Sequence, residues 1–126
     1  MLLADKWIKS GHELRASAGW NTYTWLLGSK PDAYFDYDAL LEHLKDAQNR
    51  IHSAANRECY AMNNFVMAVA LSYKPLHETA VEVAKTIGSV SVYVDGISCK
   101  VPDASVYIEK NVKQGRIGFK RKHVRC

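Results

Sequence analysis

Few residues in this chain have both the type and the spacing that chemistry requires. Cys99 stands beside Lys100, just after an Asp95-Gly96 turn, and a neighbouring cation lowers a thiol pKa toward a reactive thiolate. No histidine is placed nearby in sequence to act as its base, so Cys99 reads as a buried structural cysteine. His12, His43, His52, His77 and His123 show neither H-x-x-x-H nor H-E-x-x-H spacing. They read as surface or capping histidines, and no metal site is expected. Asp32, Asp36 and Asp38 look like capping and turn residues rather than paired acid and base. The glycines never cluster into a phosphate cradle, so no cofactor is expected.

Two features survive that survey. One is the C-terminal run Lys120-Arg121-Lys122-His123-Val124-Arg125, which could neutralise phosphates. A solubilising, solvated chain end accounts for it equally well. The other is the N-terminal group Trp7, Arg15, Trp20 and Trp25, where aromatics and a cation could face a nucleic acid. Packing of the tryptophans in a core is the stronger reading of that group.

The elements that must position these residues are helices. A short one is expected over Leu2–Ser10, broken by Ser10-Gly11-His12. A second runs Glu13–Leu27, with Ala16, Trp20, Tyr23 and Leu27 at offsets 0, 4, 7 and 11 on one face. Leu14, Ala18 and Trp25 make a further apolar stripe, so this helix is expected to be buried widely. Gly28-Ser29-Lys30-Pro31 should end it. Asp36 caps a third helix whose stripe is Leu40, Leu41, Leu44, Ala47 and Ile51. Its other side carries Asp38, Glu42, Lys45, Asp46 and Arg50, where Glu42 can pair with Lys45, or Asp46 with Arg50.

Asn56 caps a fourth helix reaching Tyr73, striped by Met62, Phe65, Val66, Val69, Ala70 and Tyr73 as core rather than cofactor contacts. Lys74-Pro75 turns into a fifth, with Leu76, Ala80, Val83, Ala84 and Ile87 inward and Gly88 as its stop. Val90, Val92 and Val94 then alternate with polar or aromatic neighbours, which predicts one extended segment laid over helices without a partner strand. Pro102 suits the first turn of a sixth helix, with Ala104, Tyr107, Ile108 and Val112 inward and Gly115 ending it. Short links between amphipathic helices imply antiparallel neighbours. The fold class is all-α, stacked helix pairs over residues 1–115, followed by a basic tail at 116–126.

The 126 residues fit one domain with a genuine core, and 48% hydrophobic with 24% charged residues is globular composition. No apolar run is long enough for a membrane span, and no signal-peptide h-region follows Met1. Three widely separated cysteines, Cys59, Cys99 and Cys126, suggest a reducing compartment, so a cytoplasmic location is expected. The net charge of +4 is unevenly spread: residues 1–109 hold ten basic and thirteen acidic residues, while residues 110–126 hold seven basic and no acidic ones.

Certain stretches carry a resemblance. Ala84-Lys85-Thr86-Ile87-Gly88, Val92-Tyr93-Val94-Asp95-Gly96, Ser98-Cys99-Lys100-Val101-Pro102-Asp103-Ala104 and Tyr107-Ile108-Glu109-Lys110 resemble the C-terminal end of the DNA alkylation repair family. Ala61-Met62-Asn63-Asn64-Phe65 and the opening Lys6-Trp7-Ile8-Lys9-Ser10 with Leu14-Arg15 fit the same pattern. The resemblance implies a HEAT-like stack of antiparallel helices whose concave, basic face holds duplex DNA. Its best-known members are glycosylases that hydrolyse the N-glycosidic bond of N3- and N7-alkylated purines, using an Asp in a Trp-x-x-x-Asp setting.

That element lies upstream of the Lys-Trp-Ile segment in the family, so the chain resembles the C-terminal half only and the catalytic Asp has no counterpart. Ser17 stands where the family's Arg is expected, with Arg15 two residues earlier, and Val101 replaces the usual helix cap. The expectation is a DNA-alkylation-repair-like helical protein that is inactive as this chain alone. The alternative is a non-catalytic nucleic-acid-binding or protein-interaction module. Arg15, Lys120, Arg121, Lys122 and Arg125 are the candidate DNA contacts. Duplex DNA, a second copy or an N-terminal partner chain are the candidate partners, without membrane or metal.

Overall fold

In a computed structural model the described residues are 3–9, 13–52, 56–88, 91–94, 97–100 and 104–114, the two short segments by backbone alone. The described residues form six helices: α1 (Leu3–Ile8), α2 (Glu13–Ser29), α3 (Tyr37–Arg50), α4 (Asn56–Ser72), α5 (His77–Ile87) and α6 (Ala104–Lys113). Short 3-10 turns at Asp32–Tyr34 and Lys74–Leu76 lead into α3 and α5. The buried side chains of all six helices merge into one core, with Trp20, Leu27, Leu40, Leu44, Met62, Phe65, Leu76 and Ile108 sealed from solvent. α4 is its centre: α2 and α6 pack along it, and α3 and α5 pack behind. The stacked helical architecture expected from the hydrophobic periods is the one observed.

The ends of the helices follow local chemistry. The Asp36 carboxylate accepts from the Asp38 N–H at 3.1 Å, so it caps α3 as its sequence position implies. Gly88 ends α5 at φ 66°, ψ −145°, a backbone conformation that a side chain resists, and its N–H closes the last turn on the Ala84 carbonyl. Gly28, in contrast, does not stop α2, which continues through Ser29 until Pro31 removes the next donor. Asn56 is the first residue of α4 rather than a residue preceding it.

The extended segment is not alone. β1 (Ser91–Val94) pairs antiparallel with β2 (Ile97–Lys100), Val92 facing Cys99 and Val94 facing Ile97. The expectation of an unpartnered segment is therefore corrected: the partner is the four residues immediately after the Asp95-Gly96 pair, too short to show a period of their own. Burial expectations on two helices are also revised. Leu14 and Trp25 are 55% and 44% exposed, so α2 keeps one open side. On α6, Tyr107 faces solvent and Asn111 takes the inward place. The stretches around Ser10–His12, Val101–Asp103, Gly115 and the tail lie outside the described residues.

Candidate nucleic-acid interface

α2 and α4 lie side by side and run the same way. The Arg57 N–H donates to the Glu13 carboxylate at 3.2 Å, tying their first turns together. Deeper in, the Trp20 Nε1–H donates to Glu58 Oε2 at 3.1 Å, and the Phe65 ring meets Trp20 and Tyr23 at 5.0 and 5.8 Å. Glu58 Oε2 also accepts from Arg50 Nη2 at 3.2 Å, and Arg50 is clamped by Asp46 through 2.7 and 2.9 Å bonds. The Asp46 hydrogen bond outweighs partial burial and holds the Arg50 guanidinium firmly charged. A buried indole and carboxylate thus join α2, α3 and α4 at one point.

With its core stripe committed to these neighbours, α4 presents the opposite stripe to solvent. Arg57, Tyr60, Asn64, Ala68 and Leu71 recur at offsets 0, 3, 7, 11 and 14, one helical face. Arg57 and Tyr60 are exposed and the other three half-buried. Arg15 is exposed in the first turn of α2, beside the turn that carries Arg57. On the far flank α6 exposes Tyr107, Lys110 and Lys113. Helices α2, α4 and α6 together hold four basic and three acidic residues, against four and six on α1, α3 and α5.

The acids on this face are already engaged. Glu58 is buried and doubly bonded, Glu109 pairs with Lys113 at 3.5 Å, and Glu13 holds the Arg57 amide. None of the three helices contains an Asp. What the face can do chemically is bind a polyanion.

Of the candidate DNA-binding residues chosen from sequence, Arg15 alone falls within the described residues; Lys120, Arg121, Lys122 and Arg125 lie outside them. The N-terminal aromatic group does not come together: Trp20 is buried, Trp7 half-buried and Trp25 exposed. Sequence reasoning misses Arg57, Tyr60, Lys110 and Lys113. Arg57 and Tyr60 could have been found as the complement of the Met62–Phe65–Val69 stripe.

Among the described histidines, His43 departs from the surface or capping role expected, while His52 and His77 keep it. His43, 4% exposed, is a core residue packed within 5.1–6.3 Å of the Tyr23, Trp20 and Phe65 rings. His52 and His77 bond the Ile87 and Ala70 carbonyls at 2.8 and 2.7 Å, which are capping roles. His43 floors a cleft of about 510 Å³ between the end of α1 and α3, away from the α4 stripe. Its rim carries the Lys9–Glu42 pair at 3.4 Å and the Asp46–Arg50 pair. Among the described residues no three His, Cys, Asp or Glu side chains gather to hold a metal, and no helix is long and apolar enough to cross a membrane.

No family model matches the chain. It is 41% identical over 110 residues to an uncharacterised protein of Listeria innocua and 37% identical over 110 residues to an uncharacterised protein of Listeria monocytogenes. Each match takes in 87% of this chain and 46% of the relative. A solved structure superposes on 98% of the chain with a TM-score of 0.92 at 48% identity, and the match covers 53% of that structure. It is described as representing a new family of proteins related to the HEAT-like repeat DNA glycosylases, with affinity for branched DNA structures. The fold is thus a HEAT-like helical repeat, structurally related to those glycosylases. The chain spans about half the length of the proteins it matches.

Proposed function

We propose that this chain is a DNA-binding helical-repeat module that recognises branched DNA through the face formed by α2, α4 and α6, and that it performs no base excision by itself. The similarity to a structure described as having affinity for branched DNA supports the choice of ligand. The observation that carries the reading is the α4 stripe: Arg57 and Tyr60 exposed, Arg15 on one flank and Lys110 and Lys113 on the other, with each acid of these helices occupied. Cations at that density bind phosphate by releasing counterions, and an exposed tyrosine offers a surface on which an unpaired base can stack. The basic tail at 116–126 adds charge to the same interaction.

The test is a mobility-shift competition between a labelled four-way junction and linear duplex of the same sequence. Preference for the junction is expected. Equal competition by duplex, or no shift at low salt, would remove the branched-DNA reading. Incubation with methylated duplex is expected to release no 7-methylguanine, and turnover by the pure chain would overturn the non-catalytic half of the proposal.

A further inference from the structure

α2 is nearly an uncharged helix, yet it has an open side. From Ala16 to Ser29 it contains no Asp, Glu, Lys or Arg, a composition that belongs to a helix covered on all sides. Leu14, Ala18, Asn21 and Trp25, at offsets 0, 4, 7 and 11, are nevertheless exposed, opposite the Ala16–Trp20–Tyr23–Leu27 stripe that enters the core. Three hydroxyls on this helix turn to its own backbone. Thr22 donates to the Ala18 carbonyl at 2.7 Å, Thr24 to Trp20 at 3.1 Å and Ser29 to Trp25 at 2.9 Å. Beyond the first turn, where Glu13 and Arg15 are exposed, Asn21 is the one fully exposed polar residue of this helix, and Ala18 is small enough to let another helix approach closely.

The α6 side of the stack is different. Its ten residues carry Glu109, Lys110 and Lys113, with the Glu109–Lys113 ion pair at the surface, and charge of this kind lets an end of a repeat stack face water even beside Val106 and Tyr107. One side of the stack is finished for solvent, and the other is finished for helix packing.

We infer that the open side of α2 is a seam that seats a further HEAT-like helical segment, equivalent to the half of its relatives that this chain does not match. The length relation supplies the occupant, because the relatives and the solved structure hold about as many residues again outside the matched part. A second helix pair laid on Leu14, Ala18 and Trp25 repeats the way α2 lies on α4. The inference is independent of DNA binding, because the seam is apolar and is tested without nucleic acid.

The experiment mixes this chain with the separately produced unmatched half of the Listeria innocua relative and follows association by sedimentation velocity. A one-to-one complex is expected, weakened at least about tenfold by Ala18→Glu or Trp25→Glu and unaffected by Lys45→Glu on α3. Circular dichroism and the melting temperature of each isolated variant should match the parent, since these positions face solvent. Absence of a complex, or one indifferent to both seam variants, overturns the inference. So does a homodimer of this chain that Ala18→Glu dissolves, which would assign the seam to a second copy.

Discussion

Glu58 is the residue at which α2, α3 and α4 are held in common, accepting from both Trp20 and Arg50 while itself nearly sealed from water. Replacing it by Gln keeps an acceptor for the indole but removes the charge that Arg50 faces. Because the Arg50 side chain is 42% exposed, solvent makes up part of that loss. The expected cost is about 1–2 kcal/mol, read as a lower urea midpoint at unchanged m-value. Next to it, burial and then the Glu58 charge push the Cys59 thiol above its usual 9.0, and burial pushes the Tyr73 hydroxyl above 10.0. Both groups lose their proton more easily in the unfolded chain, so their contribution is intact below about pH 9 and is lost as pH rises through the folded values. Melting temperature should therefore fall as pH rises above about 9, and Cys59 should resist alkylation at neutral pH until the chain unfolds. At this scale sequence separated the tryptophans poorly. Trp20 and Trp25 differ by five positions on one helix, and only the packing of α4 decides which is core.

Helices were the most legible elements, because most carry their own hydrophobic period, although Gly28 does not stop α2. Gly88 is the sharpest case: its φ of 66° with ψ of −145° lies outside the left-handed helical region that Asn tolerates. Gly88→Ala and Gly88→Asn should both destabilise, by about 1–3 kcal/mol, even though a Cβ there meets no atom within 4 Å. A thermal melt of the two variants distinguishes backbone strain, which penalises both, from a simple helix cap, which spares Asn. The hairpin was less legible. Asp-Gly between two extended runs is a strong hairpin signal, but Ile97-Ser98-Cys99-Lys100 is four residues long, too few for its apolar–polar alternation to establish a period. The open side of α2 was not legible either, since its apolar stripes read as burial and nothing in the sequence says which neighbour is present.

Across the whole molecule, charge separates the two layers of helices and concentrates in the C-terminal segment. Removing residues 116–126 should reduce the salt slope of DNA binding by roughly 0.9 for every phosphate the tail neutralises, measured as log K against log salt. An unchanged slope would leave the helical face as the anchor without the tail. The fold class and the relation to DNA glycosylase-like repeats could be read from helical periods and a few C-terminal motifs. The face itself could not, because Arg15, Arg57, Lys110 and Lys113 are far apart in sequence and sit on three helices that only the packing of α2 and α6 along α4 brings together. Charge reversal on that face tests the account most directly. Arg15→Glu with Arg57→Glu should weaken binding of a four-way junction by about tenfold or more, while Lys45→Glu with Lys85→Glu on α3 and α5 leaves it within about twofold. If the α3 and α5 variant lost binding and the α2 and α4 variant kept it, the DNA face would lie on the layer of α3 and α5 instead.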